Sequence, residues 1–143
     1  MGRIRVSYPR VRRLLVPLDF SGKSRQALRY ALPLAVKFAA RIVLLHVLPA
    51  RDAGKSGPEL RLEAERRLAR MSAQLVPPQL HGANLVLTGK PAAQILAAVA
   101  KHDIDLIVLT TKGETGLKRM LLGGTAEHVM RHARCPVLSV RRT

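Results

Sequence analysis

Five short apolar runs punctuate the chain, and between them apolar residues recur at intervals of three and four. Residues 13–18, RLLVPL, read as a short buried strand. Pro17 cannot donate a ladder hydrogen bond, so the strand is expected to end about there. Asp19 then falls at its C-terminal end, with Ser21 or Ser24 available as the next helix cap. Residues 22–40 carry Ala27, Leu28, Ala31, Leu34, Ala35 and Phe38 at helical spacing. Pro33 lies inside that pattern and is expected to kink the helix or end it early. Residues 41–48 form a second buried strand, and the Pro, Asp and Gly of 49–57 form a loop. Ser56 and Glu59 have capping-box spacing, and Pro58 suits a first helical turn. Leu60, Ala64, Leu68, Met71 and Leu75 make one stripe, with Glu63 and Arg67 as an i,i+4 pair on the outer face. Pro77 and Pro78 stop that helix. Residues 85–88 read as a short third strand ended by Gly89. Pro91 opens a helix with Ala92, Ile95, Leu96 and Val99 on its apolar side. Residues 104–110 are the fourth strand. Residues 125–133 are a last helix burying Ala126, Val129, Met130 and Ala133, and 136–140 are the fifth strand.

Near-continuous apolar strands alternating with amphipathic helices predict an α/β fold, a doubly wound parallel sheet covered on both faces. Its crossovers are expected to be right-handed. No repeat, low-complexity tract or linker divides the 143 residues, so one domain is expected over 1–143. Residues 1–12 carry Arg3, Arg5, Arg10 and Arg12 without an acid. They read as a basic N-terminal extension, either a solvated tail or an arm that touches an anionic partner.

Composition changes this picture in three places. Two Tyr, two Phe and no Trp make the core aliphatic. The single cysteine, Cys135, allows no intrachain disulfide, fits a reducing cytoplasm, and reads as an inert core residue. The formal net charge of +16 implies attraction to polyanions without saying which, non-specific attraction included. No apolar run approaches the ~20 residues of a membrane span. Leu14 to Leu18 is too short for the core of a secretory signal. No membrane association is expected.

The candidate chemistry gathers in residues 104–125. A buried strand feeds a loop holding Gly113 and Gly116, then a basic turn, then Gly123, Gly124 and Thr125 at a helix start. Unpaired N–H groups and the helix dipole favour an anion at such a start, and glycine lets the backbone approach it. If the first and fourth strands are central neighbours, Asp19 and the loop after Thr110 meet at the switch point, where ligands lie in such sheets. Gly22-Lys23-Ser24 and Gly54-Lys55-Ser56 mimic the end of a P-loop, but Pro17 and Pro49 stand where its first glycine is required. His128 and His132 share a helix face, either as a metal pair or, without a completing Glu, as a solvated basic face. His46, in a buried strand, reads as a satisfied core histidine. No nucleophile elbow or carboxylate pair argues for catalysis.

Several segments together resemble the universal stress protein family over roughly residues 12–141. They are LLVPLDFS at 14–21, LLHVL at 44–48, TGKP at 88–91, DIDLIVLTTKG at 103–113, GLKRMLLGG at 116–124 and CPVLSV at 135–140. The resemblance implies a five-stranded parallel sheet of order 3-2-1-4-5, of the adenine nucleotide alpha hydrolase-like kind. It also implies a cytoplasmic homodimer whose final strands, Val137, Leu138, Ser139 and Val140 here, pair antiparallel. The family's nucleotide-binding branch carries G-x2-G-x9-G-[S/T]. Here Thr110 takes the first glycine, Gly113 and Gly123 match, and Gly124 replaces the hydroxyl residue, with Thr125 one step later. By resemblance, Pro17, Asp19 and Val47 would face adenine and ribose. Thr110, Thr111, Lys112, Gly113, Glu114, Thr115 and Gly116, with Gly124, Thr125 and Ala126, would hold the phosphates of ATP, brought with Mg²⁺. Lys118 and Arg119 add positive charge. The implied role is regulatory, with at most slow ATP hydrolysis. The departures at 110 and 124 leave open a stress-related interaction protein with a degenerate site.

Overall fold

The computed structural model describes residues 2–5, 7, 9–22, 24–50, 57–111 and 124–141. The strands are β1 (Arg13–Pro17), β2 (Arg41–Leu48), β3 (His81–Thr88), β4 (Leu106–Thr111) and β5 (Val137–Arg141). The helices are α1 (Arg25–Phe38), α2 (Gly57–Leu75), α3 (Pro91–Lys101) and α4 (Thr125–His132). The five strands form one parallel sheet in the order β3-β2-β1-β4-β5, as expected.

Alternation along β1 shows why the strands are apolar throughout. Leu14 and Val16 pack with Ala27, Ala31 and Ala35 of α1 and Leu68 of α2 on one face. Leu15 packs with Ile95 and Val99 of α3 and Val129 of α4 on the other. Each face is covered, so neither parity can be polar. Each fully buried leucine contributes about 1.5–3 kcal/mol relative to an exposed one.

Where the chain departs from its pattern, local geometry gives the reason. α1 does not end at Pro33, which is exposed, but runs to Phe38. Ala39 then turns left-handed (φ 55°), and its N–H reaches the carbonyls of Ala35 and Val36. Phe38 is 37% exposed and Met130 45% exposed, although helical spacing put both on apolar faces. β3 begins at His81, four residues early, after a 3-10 turn at Pro78–Leu80. It is an edge strand paired only with β2, so its polar start HGAN needs no burial. Gly82 sits at a register shift beside Ile42 and Val43, where a Cβ would lie 3.0 Å from the Ile42 carbonyl oxygen.

β4 begins two residues late, and Asp105 just ahead of it ties the sheet's centre. Its N–H donates to the Arg13 carbonyl at 2.9 Å. Its carboxylate accepts the N–H groups of Arg12 (2.8 Å) and Arg13 (3.1 Å). Val11 packs against the core, and the Arg12 carbonyl accepts Arg41 N–H at 2.8 Å. Val11 and Arg12 are therefore packed and hydrogen-bonded into the domain rather than left in the basic extension.

Candidate functional site

The β1–β4 ladder is short. It runs from Leu14–Leu106 to Leu15–Ile107 and stops, although both strands continue. Beyond it β1 follows β2: Pro17 pairs with Leu45, and Leu18 N–H donates to the Leu45 carbonyl at 2.8 Å. β4 follows β5 as far as Thr111–Arg141. The central strands thus diverge at their C-terminal ends, where successive connections run to opposite edges. A divergence of this kind opens the crevice in which doubly wound sheets hold ligands.

One lip is the turn after β1. Pro17, half-buried, brings no N–H to it. Asp19 is exposed, and its Oδ1 accepts both the N–H (2.9 Å) and the hydroxyl (2.6 Å) of Ser21. Ser24 hydroxyl donates to the Ser21 carbonyl at 3.0 Å, and Asp19 N–H donates to Ser24 Oγ at 3.3 Å. Ser21 therefore orients the carboxylate and Ser24 ties the backbone of the turn, while Ser24, the cap residue of α1, makes no side-chain cap bond.

Phe20 follows, left-handed at φ 68°. Its ring stacks on His46 with centroids 4.0 Å apart, and the guanidinium of Arg67, on α2, lies 4.3 Å from its centroid. His46 Nδ1 lies 2.8 Å from the Leu18 carbonyl, so Nδ1 carries the proton and donates. His46 is the satisfied, part-buried histidine expected. Arg67 of α2 covers this stack, and the same helix carries an i,i+4 pair, Arg61–Glu65, at 3.2 Å. Sequence reading missed the Phe20–His46–Arg67 stack; an aromatic directly after the strand-end Asp19 was the one available signal.

Val47, half-buried, lies at the end of β2 and lines an open recess of about 460 Å³ with Pro49, Ala50, Gly89, Lys90 and Pro91. Gly89 closes it from β3. Its φ is +142°, its N–H donates to the Leu48 carbonyl at 2.8 Å, and a Cβ there would lie 2.8 Å from Gln94 Nε2.

The other lip is β4 and α4. Thr110 and Thr111 are half-buried, and Thr111 Oγ1 donates weakly to the Val140 carbonyl at 3.4 Å. Lys112, Gly113, Glu114, Thr115, Gly116, Lys118, Arg119 and Gly123 lie outside the described residues. The description resumes at Gly124, the N-cap of α4, which makes no side-chain cap bond. The first N–H groups of α4, from Thr125 and Ala126 on, have no intrahelical acceptor by geometry. Ala126 itself packs on the core, and Glu127 pairs with Arg131 at 3.0 Å.

His128 and His132 are exposed, with rings stacked at 4.3 Å and His132 Nδ1 3.0 Å from the His128 carbonyl. Among the described residues no three His, Cys, Asp or Glu side chains gather as a metal site. Cys135 packs at the edge of the second core cluster. Burial first, and the Asp105 charge second, push its thiol pKa up.

The sequence pattern of the universal stress protein family matches residues 10–141. The chain belongs to the universal stress protein family. Among its relatives is the Methanocaldococcus jannaschii universal stress protein MJ0531, 32% identical over 140 residues, which are 92% of this chain and 82% of that protein. The solved structure of MJ0577, from the same organism, superposes with a TM-score of 0.80 at 25% identity, covering 94% of this universal stress protein and 99% of MJ0577. The Archaeoglobus fulgidus universal stress protein in complex with dAMP superposes with a TM-score of 0.67, covering 91% of this chain and 97% of that one. At 20% identity, that likeness is one of fold.

Proposed function

We propose that this universal stress protein is a small dimeric regulator that binds an adenine nucleotide, ATP with Mg²⁺, across the β1–β4 crevice. The observation that carries the proposal is the parting of β1 from β4 just before Pro17 and Thr110. Asp19, oriented by Ser21, takes ribose hydroxyls, while Pro17 and Val47 with the apolar recess beside it take the adenine. The phosphates lie against the backbone of 110–116 and the start of α4, where Gly124 brings no competing side-chain cap. The dAMP bound by the A. fulgidus relative agrees in ligand class. Mg²⁺ arrives with the phosphates, since the described residues offer no metal cluster of their own. Strong catalysis is not part of the role. Residues 10–141 act as one domain, in the cytoplasm.

The dimer forms through β5, with Val137, Leu138, Ser139 and Val140 paired antiparallel to a second copy. β5 is an edge strand, and Leu138 on it is 36% exposed, so an apolar edge is available to cover.

Isothermal titration of ATP with Mg²⁺ tests the site; absence of binding heat at a protein concentration of about 100 μM, far above micromolar dissociation constants, refutes it. A second reading is an interaction protein whose site is degenerate, motivated by Thr110 in place of glycine and by the missing hydroxyl at Gly124. Recovery of ATP or ADP from gently purified, then denatured, protein decides against that reading.

A further inference from the structure

The pole opposite the crevice, where the strands begin, is rich in arginine, and we propose that it binds the phosphate backbone of duplex DNA. A parallel sheet puts every strand start at one end. β1 is entered through Arg12 and Arg13 and β2 through Arg41, which stands in register beside Arg13. Neighbouring strands are about 4.8 Å apart, so these two side chains leave the sheet side by side. α1 and α3 run antiparallel to the strands and bring Lys37 and Lys101 to the same end, and Arg134 lies in the turn before β5. These six side chains are exposed, and among the described residues none is in an ion pair. The acids at this pole are Asp103 and Asp105, and the Asp105 carboxylate is already engaged by backbone N–H groups.

The helix dipole accounts for Lys37 and Lys101, but not for arginines at adjacent strand starts, which repel one another. The basic extension precedes β1 and therefore leaves the domain here, adding Arg3, Arg5 and Arg10, all exposed. A formal charge of +16 makes attraction to a polyanion strong, and nine of the 25 Lys and Arg fall at this end.

Three observations select duplex DNA. Arginine predominates, and its fork matches phosphate oxygens. Phe20 lies at the other pole, and the described residues bring one aromatic, Phe38, near this end, too few for a platform on which successive unpaired bases stack. Among the described residues the large apolar side chains exposed near this end are Ile4, Val36 and Phe38, few beside its arginines and lysines for a face that enters a bilayer. Binding is to the backbone and does not read sequence.

The test is fluorescence anisotropy of a labelled 20-base-pair duplex of mixed sequence, titrated with the full chain across a range of salt. One variant combines Arg13→Gln, Arg41→Gln and Lys101→Gln. A charge-matched variant combines Arg29→Gln, Arg66→Gln and Arg70→Gln on the outer faces of α1 and α2. The pole variant is expected to flatten the slope of log affinity against log salt by about 2.7, from roughly 0.9 per lost phosphate contact. The matched variant leaves the slope near that of the wild type. Arg13→Lys with Arg41→Lys keeps the charge and the slope, which separates lost contacts from lost folding. Equal flattening in both triple variants overturns the proposal, because net charge alone then binds. So does preferential capture by phosphatidylserine vesicles in competition with the duplex.

Discussion

Replacing Phe20 inverts the usual ranking of glycine and alanine. Phe20 sits at φ 68°, a region that costs an L-residue about 1–2 kcal/mol. Two contacts hold it there. The stack on His46 at 4.0 Å contributes about 0.5–1.5 kcal/mol, and the Arg67 cation over the ring about 0.5–1 kcal/mol. Phe20→Ala removes both contacts and keeps the strain, so it is expected to destabilise by about 1–2.5 kcal/mol. Phe20→Gly removes the same contacts but relieves the strain. Against that relief stands the greater freedom of an unfolded glycine, about 0.5–1 kcal/mol. The glycine variant is therefore expected to be the more stable of the two by about 0.5–1 kcal/mol. For a chain of this length that is a Tm difference of about 2–4 °C. Thermal melts followed by circular dichroism, repeated as urea titrations, measure it. A glycine variant as unstable as the alanine variant, or less stable, refutes the claim that the backbone at Phe20 is strained.

Two further outcomes follow from single residues. Gly89→Ala places a Cβ 2.8 Å from Gln94 at a φ of +142°, so it is expected to destabilise by about 1–3 kcal/mol in urea titration. A companion Gln94→Ala removes the clash and restores only the part not due to backbone strain. The Cys135 thiol, held above its ordinary 9.0 by burial and then by Asp105, is expected to react with iodoacetamide more slowly than free cysteine at pH 8.5, and Asp105→Asn is expected to speed it. Because the folded pKa is the raised one, the folded state holds its proton longer. This group's contribution to stability is intact below the unfolded pKa and is lost as pH rises from about 9.0 through the folded value. Urea titrations of wild type and Cys135→Ala between pH 8 and 10.5 check the sign.

The parts of the fold that were legible in the sequence are those where burial leaves no choice. β1, β2 and β4 are covered on both faces, so their apolar runs stand out from any window. The first half of β3 did not, because an edge strand half open to solvent tolerates His81, Gly82 and Asn84. Of the two outcomes open at Pro33, the early end does not occur: on an exposed helix face the missing N–H and the ring are tolerated without ending α1. At the candidate site, Asp19 was placed by the end of its strand, whereas Val47 came only with the family resemblance. The Phe20 stack joins residues from three elements far apart in the chain, and no local period reports such a meeting. Nor does anything in an aromatic side chain announce a left-handed backbone.

The shortness of the β1–β4 ladder has a mechanical meaning. It makes the sheet two blades, β3-β2-β1 and β4-β5, riveted at Leu14 and Leu15 and by the Asp105 clasp at the opposite end. Anything that grips both blades beyond the rivet works at the long end of a lever. A grip there adds a tie between the blades where the ladder leaves them joined only through the core that α1 packs across both. An occupant of the crevice can in this way be felt at a strand it never touches.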